Sequence, residues 1–224
     1  MTPAEIVERL RPLYGQRQWR PHGDAVAELV LTILSQNTSD RNSGRAFATL
    51  MDRYGSWDAV VDAPTNELVD TIRVGGLALQ KAPRIQAVLH RVREAAAGWD
   101  LGWLDPLPLD EARAWLTGLP GVGPKTAACV LLFACGRPAL PVDTHVHRVA
   151  RRLGIIEPKT SEVKAHVLLE ALVPPERVYD FHVLLIKHGR RTCTARGPRC
   201  DHCPLLEGCP RVGLPPREPS ELPA

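Results

Sequence analysis

Four cysteines, Cys193, Cys200, Cys203 and Cys209, fall within one 17-residue stretch in the spacing C-x6-C-x2-C-x5-C, beside a strongly basic run. Four thiolates on a short segment rich in proline and glycine can wrap a [4Fe–4S] cluster or a structural zinc ion. Neither needs a preformed core, because metal binding itself orders such a segment. The plain alternative is a disulfide framework. It suits short secreted chains, whereas this chain has 224 residues and opens Met-Thr-Pro-Ala-Glu-Ile-Val-Glu, without the basic-then-apolar order of a secretory signal. Zinc sites usually pair their cysteines in short C-x2-4-C knuckles; here only Cys200 and Cys203 form one, and the wider flanking gaps favour the cluster.

A hydrophobic content of 44% and a charged content of 24% are those of an ordinary globular protein, enough for one or two domains. No run approaches the roughly 20 apolar residues of a membrane span. A cytoplasmic, reducing compartment is therefore expected, and it suits cluster thiolates. The abundance of arginine, alanine and proline suggests a G+C-rich bacterial genome. The net charge of +3 does not by itself argue for nucleic acid, but its distribution does. Between residues 187 and 203 the chain carries Lys187, Arg190, Arg191, Arg196 and Arg199 against one acid, Asp201. Basic runs are usually solvated faces; one braced by a rigid metal loop fits a phosphate-contacting surface.

The pattern along the chain is helical, with no convincing strand. Thr2-Pro3-Ala4-Glu5 reads as a capping box opening a helix to about Tyr14. Asp24 caps a helix whose Val26, Leu29, Val30, Ile33 and Leu34 share a face, and a polar break, Ser35 to Asp40, precedes a third through Phe47 and Leu50. Ser56 and Pro64 start two short helices, Gly75-Gly76 separates them from a long one bearing Ile85, Val88, Leu89 and Val92, and Asp110 opens one that stops at Gly118. The span from Pro124 to about Ala134 is apolar nearly all round, which predicts a buried central helix. Further helices are expected at about 143–153, 161–172 and 175–188, the last closed by Lys187, His188 and Gly189. Residues 213–224, with four prolines among the last twelve, read as a disordered tail, and Cys129 and Cys135 as small core residues.

Leu119-Pro120-Gly121-Val122-Gly123-Pro124-Lys125-Thr126-Ala127 joins two of these helices by a tight Gly-Val-Gly turn. Glycines let backbone amides converge and the next helix adds a positive dipole, so the turn can hold a phosphate. An ordinary helix–helix turn is the alternative, and it needs one glycine rather than two. Lys125 lies in the first turn of an otherwise apolar helix, where dipole and burial both disfavour a charged amine and so favour a nucleophilic one. A lysine that snorkels to solvent or touches a phosphate explains the same position. Asp143, in Pro141-Val142-Asp143-Thr144-His145, reads locally as an N-cap. His145 and His147 are not at i, i+4 spacing and have no acidic partner pair, so they read as structural or DNA-facing and not as metal ligands.

Gly-Val-Gly-Pro-Lys-Thr-Ala, Val-Asp-Thr-His with its aspartate eighteen residues after the lysine, and the four-cysteine spacing together closely resemble endonuclease III, of the helix–hairpin–helix DNA glycosylase superfamily. The resemblance runs from about Asp24 to Pro210. It implies an all-α fold of two helical domains with a DNA-binding cleft between them. One is a helix–hairpin–helix barrel domain, residues 24–135, and the other a [4Fe–4S] cluster domain, residues 1–23 with 136–212. It also implies a bifunctional DNA glycosylase/AP lyase, a monomer acting on oxidised pyrimidines in double-stranded DNA, with the damaged nucleotide flipped out of the stack. Lys125 becomes the nucleophile at the sugar C1′ and Asp143 the group that stabilises the developing positive charge. The cluster is structural and braces a loop whose Arg196 and Arg199 grip phosphates and partly offset the cluster's negative charge.

Two further segments lie where such proteins enter the duplex. By register Asn37, with Gln36 second, is the polar plug that fills the gap left by the flipped base. Leu77, in Gly76-Leu77-Ala78, is the apolar wedge for the opposite strand, with core packing as its alternative. Gly121, Val122, Gly123 and Thr126 are expected at the phosphate, with His145, Lys187, Arg190, Arg191, Arg196 and Arg199 as further DNA contacts. The chain departs from the family pattern at three places: Gln-Asn-Thr-Ser stands for the usual Ala-Gln-Ala-Thr, Ala78 for a tyrosine, and Pro124 for a basic residue. Adenine glycosylases of the superfamily need a glutamate on the helix before the polar loop, and Val30 to Ser35 contains no acid. Mismatch-thymine or pyrimidine-dimer specificity, a non-catalytic hairpin DNA-binding module and a cluster redox protein are the other readings.

Overall fold

Most helices begin where an oxygen-bearing side chain can accept an amide that the helix itself leaves unpaired. Thr2 and Glu5 form a reciprocal capping box, and Asp24, Ser39, Ser56, Asp143 and Ser161 each accept from an amide two or three residues on. The computed structural model describes residues 1–15, 20–22, 24–96 and 98–216. In chain order the α-helices are α1 Pro3–Tyr14, α2 Ala25–Ser35, α3 Asp40–Tyr54, α4 Trp57–Asp62, α5 Thr65–Ile72, α6 Ala78–Ala95, α7 Leu109–Thr117, α8 Pro124–Cys129, α9 Thr144–Arg152, α10 Glu162–Leu172 and α11 Val178–Arg191. Among the described residues there is no strand, and no helix is long and apolar enough to cross a membrane. The expected disordered tail lies, from residue 217 on, outside the described residues.

The chain divides into two compact units, Arg20–Arg137 and Met1–Trp19 with Pro138–Ala224. In the first, α2 packs on α3, α6 and α8, while α4 and α5 close over α6 and α7 lies on α8. The apolar faces foreseen for α2 and α6 supply the core: Leu29, Val30, Ile33, Leu34, Ile85, Val88, Leu89 and Val92 are fully buried. The buried central helix differs from the expected single α-run. After α8 the chain continues as a π-helical turn, Val130–Ala134, in which the Cys135 amide reaches the Val130 carbonyl at 3.2 Å. Gly136, at φ 73°, then turns the chain away.

In the second unit α11 packs on α1 and α9, and α10 on α9. Arg11 of α1 pairs with Asp180 of α11 at 2.8 Å, with both side chains largely covered. Helix α11 runs two residues past the expected stop at Gly189, which lies inside the helix and not at its cap. A Cβ at 189 would sit 3.0 Å from the His145 Cβ and 3.2 Å from an Arg148 nitrogen, so the glycine serves the close approach of α9.

Candidate active site

The hairpin between α7 and α8 is built as its glycines suggested, though the two glycines differ in purpose. Gly121 has φ +71°, which demands glycine, and a Cβ there would also displace the Arg84 side chain, whose Nε would lie 2.5 Å away. Gly123 has ordinary extended backbone (φ −94°, ψ 178°) as the N-cap of α8, and a Cβ there would meet nothing. The fold itself does not require that glycine; an approaching external group would. Val122 and Thr126 are buried, which leaves only their backbone groups for any ligand. Lys125 is half-buried in the first turn of α8 and makes no hydrogen bond or salt bridge among the described residues.

Glu28, one turn before Thr32 on α2, is a charged neighbour that sequence reading missed because it sits in an apolar period. Its carboxylate accepts from the Thr32 hydroxyl at 3.0 Å and pairs with His22 at 3.2 Å. Burial raises its pKa, against the Thr32 and His22 hydrogen bonds and the charges of His22 and Lys125, which pull it down.

The two loops singled out at the start of α3 and α6 share one property. Asn37 (φ 53°) and Leu77 (φ 50°) both hold the left-handed conformation that non-glycine residues rarely adopt, and Arg211 is the only other such residue described. Asn37 is exposed and makes no hydrogen bond in the described structure, whereas the Gln36 side-chain oxygen accepts from Arg84 at 2.8 Å. Leu77 is 46% exposed, which rules out core packing, and Leu79 beside it is 80% exposed.

In the other unit, Asp143 caps α9 by accepting with Oδ1 from the His145 and Val146 amides at 2.9 and 2.7 Å, while its Oδ2 takes no hydrogen bond among the described residues. His145 contacts Arg148 and His147 contacts the Thr160 carbonyl, so both histidines have structural partners.

All four clustered cysteines line one small cavity of about 20 Å³, together with Val149, Leu153, His188 and Arg152, and none is in a disulfide. No three His, Cys, Asp or Glu side chains among the described residues converge tightly enough to hold one metal ion. Thiols spread round a cavity suit a polynuclear cluster better than a single zinc. Burial pushes the Cys203 thiol up to about 11 and raises that of Cys209, so thiolates here need a cationic partner, which cluster iron would be. The buried Arg152 adds positive charge that sequence reading missed. It donates to the Cys193 Sγ at 3.3 Å and to the carbonyls of Cys193, Thr194 and Ala195. This guanidinium, rather than Arg196 or Arg199, is the one bonded to a cluster-loop sulfur. His188 sits against Cys203, with its pKa lowered to about 4 by burial, and is therefore a neutral donor or acceptor.

Of the basic run, Arg190, Arg191, Arg196 and Arg199 are exposed. Lys187 is not part of that face: its ammonium donates to the Tyr14 carbonyl at the end of α1, at 3.0 Å.

Comparison with known proteins agrees with this geometry. Residues 30–175 match the HhH-GPD superfamily of base excision DNA repair proteins. The chain is 38% identical over 188 residues to the endonuclease III of Bacillus subtilis, covering 84% of this chain and 82% of that one. It is 39% identical over 187 residues, 80% of its length, to a candidate DNA glycosylase of Arabidopsis thaliana, of which it spans 64%. Its fold superposes on a trapped endonuclease III–DNA covalent intermediate with a TM-score of 0.79 and 30% identity, over 94% of this chain and 97% of that one. An all-helical fold with a glycine hairpin, a first-turn lysine and a capped aspartate thus defines a protein of the HhH-GPD superfamily. Within it, the chain belongs to the endonuclease III family.

Proposed function

We propose that the chain is a bifunctional DNA glycosylase/AP lyase of base excision repair, removing oxidised pyrimidines of the thymine glycol kind from double-stranded DNA and cutting the strand by β-elimination. The observation that carries the reading is Lys125, a half-buried amine directly behind a glycine hairpin and held by no hydrogen bond or salt bridge among the described residues. Its lone pair attacks the sugar C1′ and the bond to the base breaks, the base leaving with a proton. Opening of the sugar ring gives a protonated imine. Loss of a C2′ proton then expels the 3′ phosphate and cleaves the strand. Asp143, with Oδ1 on the α9 amides and Oδ2 without a hydrogen bond among the described residues, is assigned to the developing oxocarbenium charge and to proton transfer.

The open space over Gly123 suits a phosphate at the hairpin, whose backbone amides and α8 dipole would hold it without reading sequence. The exposed Asn37 and Leu77 suit the plug and the wedge for the vacated stack. Cys193, Cys200, Cys203 and Cys209 would hold a [4Fe–4S] cluster whose chemistry here is structural, ordering the loop that presents Arg196 and Arg199. A single-turnover reaction on a thymine glycol duplex, resolved on a denaturing gel, tests the reading. Strand scission leaving an unsaturated aldehyde at the 3′ end is expected. Base release that leaves an intact abasic strand would replace this reading with a monofunctional glycosylase.

A further inference from the structure

One of the largest fully buried side chains among the described residues is a cation. Lys81, in the first turn of α6, is 2% exposed and has no carboxylate partner among the described residues. Burial and the neighbouring Arg84 both work against its charge. What holds the ammonium is a pair of backbone oxygens: it donates to the Leu34 carbonyl at 2.6 Å and to the Gly75 carbonyl at 2.8 Å. Leu34 lies in the last turn of α2, and Gly75 ends the 3-10 turn Arg73–Gly75 that follows α5. Both carbonyls therefore belong to helix ends that lack an amide for them, and both lie at the negative pole of aligned peptide dipoles.

These two carbonyls are the bases of the two loops described above. Leu34 immediately precedes the Ser35–Asp40 loop that carries Asn37, and Gly75 immediately precedes Gly76-Leu77. Each loop holds a residue in the left-handed conformation, which persists only where the surroundings determine it. The bases also lie close together, since a Cβ at Gly75 would come within 3.9 Å of the Leu34 side chain. One turn on along α6, Arg84 donates to Gln36 of the first loop and lies against Gly121 of the hairpin. The first turns of α6 thus tie together the segments assigned to plug, wedge and phosphate. A point-like ammonium with three donors suits two convergent carbonyls, where a planar guanidinium would not fit without displacing them.

We propose that Lys81 is a positioning residue for nucleotide extrusion: it locks the plug and wedge loops into one rigid unit, so that both enter the duplex in register. The proposal rests on the glycosylase/lyase reading above. Its test compares Lys81→Met with wild type in Schiff-base trapping on an abasic site, once in a duplex and once in the same strand alone. Without a partner strand there is no stack to open, so the loops have little to do. The variant should trap the duplex roughly 30-fold more slowly than wild type, and the single strand within about 3-fold of it. An equal loss on both substrates would make Lys81 a general stabiliser, and no loss on either would make it irrelevant; each overturns the proposal. Circular dichroism checks that the variant is folded. If it is not, Arg84→Gln, which releases Gln36 without leaving buried carbonyls unpaired, should show the same duplex-selective loss, and its absence overturns the proposal instead. Failure of wild type to trap either substrate would count against the lyase reading itself, whatever Lys81 does.

Discussion

Asp143 caps α9 through one oxygen and is proposed to act on the sugar through the other, and a single substitution separates the two roles. Oδ1 satisfies two amides at the start of α9, while Oδ2 takes no hydrogen bond among the described residues. Asparagine caps helices about as well as aspartate but carries no charge, so Asp143→Asn should melt within about 2 °C of wild type. Its excision rate should nevertheless fall by about 100-fold, as loss of one preorganised electrostatic group typically costs. Parallel losses of melting temperature and activity would reduce Asp143 to a cap. Local sequence could propose only the cap, because a capping motif and a catalytic carboxylate look alike until the second oxygen is located. Lys81 and Glu28 were less legible still. The partners of Lys81 are carbonyls 47 and 6 residues away, and backbone oxygens leave no trace in residue identity.

At the level of elements, glycine was the residue most easily misread. Gly189, after Lys187 and His188, has the composition of a helix end, yet it lies inside α11 where α9 comes closest. The two uses give opposite predictions for Gly189→Ala. At an open helix position alanine would stabilise by up to about 1 kcal/mol. Against His145 and Arg148 the added methyl overpacks the contact, which costs about 1–3 kcal/mol. A lower melting temperature is therefore expected in a thermal scan, and a higher one would contradict the packing account. The helices themselves were legible to within a few residues, because caps and apolar periods are local signals. The π-helical turn at Val130–Ala134 was not, since an all-apolar run has no period from which to read its hydrogen bonding.

At the scale of the whole molecule, the cysteine segment is a loop tied to α9 by Arg152 and, on the proposed reading, held by a cluster as well. Protein purified under anaerobic conditions should contain about four iron atoms per chain with matching acid-labile sulfide, by colorimetric assay. One equivalent of zinc and no iron would contradict the cluster. Removing the iron with a chelator should destabilise the chain and raise the salt sensitivity of DNA binding, because the loop carrying Arg196 and Arg199 loses its brace. The cysteines stand out in the sequence because metal ligation would demand their residue type, whereas Arg152 does not, being one arginine in a basic chain.

Borohydride trapping tests the central claim most directly, on duplexes carrying thymine glycol, a plain abasic site or no lesion, with wild type and Lys125→Ala. Wild type should form a covalent adduct on both damaged duplexes and none on the undamaged one. Lys125→Ala should form none on any while still binding DNA. Trapping that survives in Lys125→Ala would show that another amine does the chemistry and contradict the assignment.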